Sequence, residues 1–446
     1  MIFRFLRPEL FLASVSFLLF CASAQAQNPV IHDQFTADPT ARVFDGKVYM
    51  YPSHDIISPV EPERKWFAMG DYHVFSSTDL VHWTDHGVIL SQEDVPWGKP
   101  DGYKMWAPDC VFKDGKYYFF FPDGPREGSG YRVGVAVSSS PAGPFTPCDA
   151  PVDGVVGIDP CVLVDADGSS YLYWSDSGRL KGARLRDNMT ELDGETVEVD
   201  SGFPAGFKEG PFVFFKDGHY YLTFPWFQDR TETLAYAMGN SPLGPFEFKG
   251  IFMEQYADEC WTNHHSLVEY QGQWYLFYHH NDYSPQFDKN RSARIDRVIF
   301  NTDGTIRPVT PTYRGVGISS AREPVHLDRY SAISPAGVWI DFFDPSNTFD
   351  GWYVGFKRPS VWVKYRDVDF GAVSPSSVVA RVRSSAGGSL AIGLGNEPSF
   401  VEVTVPSSSG WTEVRASLHQ KVTGIQSITA TLLSGSDVQV DWIKFE

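Results

Sequence analysis

Apolar and polar positions along this chain fall into short alternating blocks, and one block returns five times. The copies read ADPTARVFDGKVYMY from Ala37, APDCVFKDGKYYFFF from Ala107, IDPCVLVDADGSSYLYW from Ile158, EGPFVFFKDGHYYLTF from Glu209 and NHHSLVEYQGQWYLFY from Asn263. Each passes from an apolar stretch of strand length through a tight turn, usually Asp-Gly, into a second stretch rich in aromatic residues, which is the pattern of a β-hairpin. Aligned on Gly46, Gly115, Gly168, Gly218 and Gly272, the copies place a tyrosine three residues later every time, at Tyr49, Tyr118, Tyr171, Tyr221 and Tyr275. A repeat of about fifty residues holds four short strands and their turns, so each copy predicts one propeller blade. Ser140-Pro141-Ala142-Gly143-Pro144-Phe145 returns as Ser241-Pro242-Leu243-Gly244-Pro245-Phe246, a turn between outer strands. Long helical periodicity is missing, which excludes a TIM barrel or a Rossmann fold. The expected fold is all-β: a five-bladed β-propeller over residues 27–320, then a jelly-roll-like β-sandwich over 321–446, where Val, Ser and Thr alternate in many short strands.

Residues 1–26 stand apart from this pattern. Arg4 and Arg7 precede an apolar run from Leu10 to Phe20, and Ala24-Gln25-Ala26 supplies a small-residue cleavage site, so a signal peptide cut after Ala26 is expected. Cys21 offers a lipoprotein anchor as the competing reading, with Phe20 where a small residue would be wanted. The apolar run is short for a membrane span. The mature chain is therefore expected to be secreted or periplasmic and off the membrane. Four cysteines remain after cleavage, Cys110, Cys148, Cys161 and Cys260, with no C-x-x-C pair to suggest zinc. Buried free thiols are the simpler expectation for Cys110 and Cys161, which lie in apolar strands.

Composition narrows the partner. The 446 residues carry 37 Lys and Arg against 55 Asp and Glu, a net charge of −18. Such a surface repels phosphate backbones and anionic membranes, which excludes nucleic acid and favours a neutral ligand.

In a propeller the first strand of each blade lines the central channel and opens at one face of the disc. The residues at its leading end are Asp38, Ala107, Asp159, Gly210 with Glu209 just before it, and His264. One Asp before Pro would read as a turn residue. Three carboxylates at equivalent positions of three blades are different, because like charges near one axis cost stability unless a metal or a function accounts for them. Splitting a glycosidic bond needs one acid to protonate the departing oxygen and one carboxylate to activate water or attack, and a third can sustain the donor's proton by repulsion. Trp106 opens the second blade at the position equivalent to Glu209, where it could stack on a sugar or pack in the blade. A non-catalytic carbohydrate-binding propeller is the alternative from another class.

Phe35-Thr36-Ala37-Asp38-Pro39, Trp106-Ala107-Pro108-Asp109, Ile158-Asp159-Pro160, Lys208-Glu209-Gly210-Pro211 and His264-His265-Ser266 together resemble glycoside hydrolase family 43, the five-bladed propeller family of arabinofuranosidases, xylosidases and arabinanases. The resemblance implies Asp38 as general base, Asp159 as the pKa modulator that orients the acid, and Glu209 as general acid, in an inverting hydrolysis. It implies Arg291 at the substrate hydroxyls and His264 near the axis, as a substrate or calcium neighbour acting through water. It further implies an exo-acting α-L-arabinofuranosidase on arabinoxylan or a related plant polysaccharide, with β-xylosidase as the runner-up, and no cofactor required for the chemistry. The rim segments Ile56 to Gly70 and Gln92 to Lys104 are expected to shape the pocket. Tyr365-Arg366-Asp367-Val368-Asp369-Phe370-Gly371, Ser409-Gly410-Trp411 and Val440-Asp441-Trp442-Ile443-Lys444-Phe445 resemble carbohydrate-binding module family 6. That likeness implies a structural calcium at Asp328 and Asp441, and Trp411 as a residue that stacks on a ligand or packs.

Overall fold

The computed structural model describes residues 27–446 apart from 207–208, 229, 255–259, 396 and 398, and of Arg64 the backbone alone. The leader, with Cys21 and the cleavage site, lies outside the described residues, as does Lys208 of the fourth motif.

Each repeat hairpin forms the first two strands of an antiparallel sheet. Blade one runs Ala37–Phe44, Lys47–Ser53, Asp71–Ser77, Thr84–Ser91, each strand bonded to the next. Blades two, three and four repeat that order from Asp109–Lys113, Ile158–Val164 and Phe212–Lys216, and blade five from His265–Tyr270 with three strands. The hairpin turns need two left-handed residues, and Asp45 with Gly46 (φ 49° and 74°) and Asp217 with Gly218 (φ 48° and 88°) supply them. Side chains alternate along every strand, so both sheet faces pack against a neighbouring blade. Tyr51, Tyr72, Phe119 and Phe121 fill the layer between blades one and two, Phe120, Leu172 and Trp174 the next, and Met50, Phe75, Phe277 and Ile295 the layer joining blade five to blade one. Burying each such side chain stabilises the fold by about 1.5–3 kcal/mol.

The ring closes through the N-terminal segment, which runs beside Ser292–Val298 of blade five. Asn28 clasps this seam: its amide donates to the carbonyls of Ile295 (3.1 Å) and Thr312 (2.8 Å), and its side-chain oxygen accepts from Ile295 N–H at 2.9 Å. Deeper in the channel, Asp109 ties three blades. Its carboxylate receives Arg42 of blade one at 2.9 and 2.6 Å, its own strand through Cys110 N–H at 2.7 Å, and Val162 N–H of blade three at 2.7 Å.

The second domain is a sandwich of two sheets. One contains Ser319–Ser320, Trp362–Asp369, Ile425–Gly435, Gly388–Leu394 and Ser399–Val405; the other Val338–Phe342, Trp352–Phe356, Val438–Phe445, Ser377–Ser384 and Ser408–Ser417. Ser319–Ser320 pairs with Val368 and Asp369, so the sandwich begins just ahead of the expected border. Phe356, Tyr365, Phe370, Phe400, Val440 and Phe445 are buried between the sheets. The domains meet through Arg314, which donates to the carbonyls of Arg366 (2.9 Å) and Asp367 (3.3 Å), and through Arg329, which donates to Asn28 O at 2.7 Å and the Tyr283 hydroxyl at 3.1 Å. Cys110, Cys148, Cys161 and Cys260 are all free thiols. No helix among the described residues is long and apolar enough to cross a membrane.

Candidate active site

The leading ends of the inner strands converge on a cleft at the channel mouth. Asp38, Trp106, Asp159, Glu209, His264 and Arg291 all line it, so every residue expected at the propeller site is brought to one place. Asp38 (φ 47°), Asp159 (φ 57°) and Gly210 (φ 68°) adopt left-handed backbone there. Asp tolerates that region better than most residues. At Gly210 only glycine fits, because an added Cβ would lie 2.8 Å from Pro225 and 3.3 Å from His264 Nδ1.

Asp38 is buried and fully engaged. Arg291 reaches its two oxygens at 2.8 and 3.3 Å, and the Ser53 hydroxyl donates to Oδ2 at 2.8 Å. Burial opposes its ionisation, but the Arg291 guanidinium outweighs it and holds the carboxyl well below the usual range. Arg291 also takes Asp55 through Nε (2.8 Å) and Nη2 (2.9 Å). Burial pushes Asp55 up to about 6, against the pull of Arg291 and with the repulsion of Asp38. Four of the five guanidinium hydrogens are thus committed to carboxylates, leaving one on Nη1. The geometry makes Arg291, 4% exposed, a buried clamp on Asp38 and Asp55 more than a free hand for sugar hydroxyls.

Asp159 has a different environment. Gly210 N–H donates to it at 2.9 Å. Burial, then Glu209, then Asp38 push its carboxyl well above the usual range. Glu209 is the less buried of the two and faces the cleft. One cleft therefore holds Asp38, whose ionised form an arginine favours, and Asp159, whose protonated form burial and its acidic neighbours favour.

Burial disfavours the charged form of the histidines at this site. Burial lowers His264 and His265, and burial with Arg291 lowers His279 to about 4. Asp38 N–H donates to His279 Nδ1 at 3.1 Å, which leaves the proton on Nε2, 3.3 Å from Thr262 Oγ1. His264 Nδ1 lies 3.9 Å from Asp38 Oδ1, and both oxygens of Asp38 are held by Arg291 and Ser53. One imidazole nitrogen supplies little of the six to eight donors calcium asks for, so an ion beside it would be held mostly through water, and no chemical step is derived through a metal.

Trp106 packs 6.0 Å from Phe67 and 4.8 Å from Tyr131 while still lining the cleft. Phe67 comes from the first rim segment and lies under Arg291 at 4.7 Å. The two rim segments brace one another: Met69 N–H donates to Tyr103 O and Met105 N–H to Met69 O, both at 3.1 Å. Sequence reasoning missed Phe67, Asp55, Ser53 and His279. A signal for the last two existed: Ser53 follows Gly46 by seven residues and His279 follows Gly272 by seven, the same repeat position.

In the sandwich, Asp328 and Asp441 are buried, with Arg329 on one (3.0 Å) and Arg381 on the other. The remaining oxygen of each, Oδ1, has no hydrogen-bond partner among the described residues, and both lie within 4.0 Å of His326 Nδ1. Orphaned hard oxygens fit a calcium ion, which these two residues would hold. Trp411 packs against Phe343 (5.4 Å) and Tyr353 (5.5 Å) beneath Arg383, which is bonded to Gln439 at 2.7 Å.

A propeller whose mouth gathers three carboxylates in unlike surroundings has the constitution of a glycosidase. The family profile of Glycosyl hydrolases family 43 matches residues 26–306, and that of Carbohydrate binding module (family 6) matches 341–446. The chain belongs to glycoside hydrolase family 43 and is an enzyme of that class. It is similar to Xylosidase/arabinosidase 43A of Humicola insolens, 38% identical over 62% of this chain and 98% of that protein. Arabinoxylan arabinofuranohydrolase of Paenibacillus polymyxa is 27% identical over 90% of this chain and 71% of its own length. A solved GH43 β-xylosidase/α-arabinofuranosidase from a compost microbial metagenome, in complex with xylotriose, is 36% identical with a TM-score of 0.58, covering 64% of this chain and 98% of that one.

Proposed function

We propose that this chain is an exo-acting, inverting glycosidase that removes terminal α-L-arabinofuranosyl units from arabinoxylan or a related plant polysaccharide. The carrying observation is the single cleft in which Asp38 and the Asp159–Glu209 pair meet. Asp38, kept ionised by Arg291, takes a proton from water as it attacks the anomeric carbon. Glu209, facing the cleft, passes its proton to the departing oxygen. Asp159 beside it, in its ionised form, keeps that proton in place by repulsion. The negative charge of Asp38 also stabilises the oxocarbenium-like transition state. Phe67 and Trp106 form the apolar wall against which a terminal sugar would lie. β-Xylosidase activity is a second reading, favoured by the xylotriose complex of the metagenomic relative.

The test is hydrolysis of aryl α-L-arabinofuranoside against aryl β-D-xyloside, with proton NMR of the first-formed anomer. Release of the inverted sugar is expected, and Glu209→Gln should lower kcat about 10²–10⁴-fold with binding largely kept. Unchanged turnover in that variant would overturn the assigned acid. Export with removal of residues 1–26 belongs to the same proposal, supported by the charged, apolar and small-residue pattern of that segment.

A further inference from the structure

The second strand of blade one ends in three residues that face alternately. Ser53 and Asp55 turn to the cleft, on Asp38 and Arg291 respectively. His54, between them, turns the other way. The register pairs Ser53 with Tyr72, so His54 meets the two residues that flank Tyr72 on the opposite sheet face, Asp71 and His73. His54 Nδ1 lies 2.7 Å from Asp71 Oδ1, His73 Nε2 lies 4.0 Å from the same oxygen, and the two imidazole rings are 5.1 Å apart. The three side chains are 23%, 29% and 16% exposed, open enough for an ion to enter, and none of them lines the cleft.

A second carboxylate aims the cluster. Asp85 holds His73 Nδ1 at 3.1 Å through both oxygens, and is itself fixed by Gly87 N–H at 2.7 Å and the Gln34 amide at 3.1 Å. With Nδ1 occupied, His73 presents Nε2 towards Asp71. A carboxylate behind an imidazole is the arrangement that orients histidine for a metal and raises its basicity. Among the described residues, this is the one grouping of three His, Cys, Asp or Glu side chains whose ligand atoms all lie within 4.8 Å of one another.

We propose that His54, Asp71 and His73 form a zinc site, with water as the fourth ligand. Two imidazole nitrogens and one carboxylate oxygen suit zinc, whereas calcium asks for six to eight oxygens. Ligand atoms around tetrahedral zinc stand about 3.3 Å apart, between the 2.7 and 4.0 Å of the metal-free cluster. Binding opens the His54–Asp71 hydrogen bond and draws His73 inward. The ion braces the strand edge that carries Ser53 and Asp55, and takes no part in bond cleavage.

The experiment is calorimetric titration of the full chain with zinc chloride, alongside His54→Gln/His73→Gln, Asp71→Asn and Asp85→Asn, each checked for folding by circular dichroism. One equivalent of zinc should bind the native chain and raise its Tm, and cobalt in its place should give the intense visible absorption of a tetrahedral site. The double variant, or Asp71→Asn if the double variant fails to fold, should lose that equivalent. Asp85→Asn should bind about 10–100-fold more weakly. No binding to the native chain, or equal zinc binding by native chain and ligand variants through other histidines such as His264, would overturn the proposal.

Discussion

Two buried acid–arginine pairs in this propeller look alike and do opposite work. Asp109 and Arg42 sit within the channel, where each oxygen of Asp109 takes one arginine nitrogen and one backbone N–H, and nothing is left over for a ligand. Asp38 and Arg291 sit at the mouth, on the wall of the cleft, with Asp55 sharing the arginine. Blade two carries Ala107 at its leading end, where blade one carries Asp38. Its acid comes two residues later and becomes a tie between blades. Position relative to the mouth, and not the pairing itself, divides chemistry from architecture.

The sharpest way to break this comparison is to neutralise each acid in turn. Asp38→Asn keeps the left-handed backbone that Asn also accepts and removes only the charge. Its kcat should fall about 10²–10⁴-fold in steady-state assays, while Tm changes little because Asp55 still holds Arg291. Asp109→Asn should do the reverse. It leaves Arg42 buried without its counter-charge, a loss of about 3–5 kcal/mol in denaturant unfolding, with turnover per folded molecule near native. Loss of turnover without loss of stability at Asp109 would erase the distinction.

The third test sharpens the role of the pair opposite Asp38. Asp159→Asn takes from Glu209 the repulsion that an ionised Asp159 supplies, so the proton that Glu209 must donate leaves more easily. The alkaline limb of kcat/KM against pH should therefore move to lower pH. Stability runs the other way. The raised carboxyl of Asp159 binds a proton more readily when folded than unfolded, so the native protein loses stability as pH climbs above the ordinary carboxylate range. The Asn variant should be spared that loss, as thermal melts at several pH values would show.

Much of this was legible in the sequence because its carriers are local. Gly46 and its four counterparts mark turns that only left-handed residues can make, and alternation about them sets the strands, so Asp38, Asp159 and Glu209 could be found by register alone. Arg291, Trp106 and His264 were placed at the mouth correctly. What escaped depends on contacts across the ring. Arg291 is held by two carboxylates, one of which, Asp55, belongs to no repeat position. Phe67 reaches the cleft only because the segment around Met69 pairs with the one around Lys104, and no pattern in either announces the other. Ser53 and His279 escaped for a simpler reason: attention stayed on the inner strands, while the second strands also end at the axis.

The grip of Arg329 on the carbonyl of Asn28 gives the two domains a common fate. Asn28 is the buckle of the hoop, and the strap that presses it shut is worn by the neighbouring module. Unfastening the hoop and swinging the module aside are accordingly one event and not two.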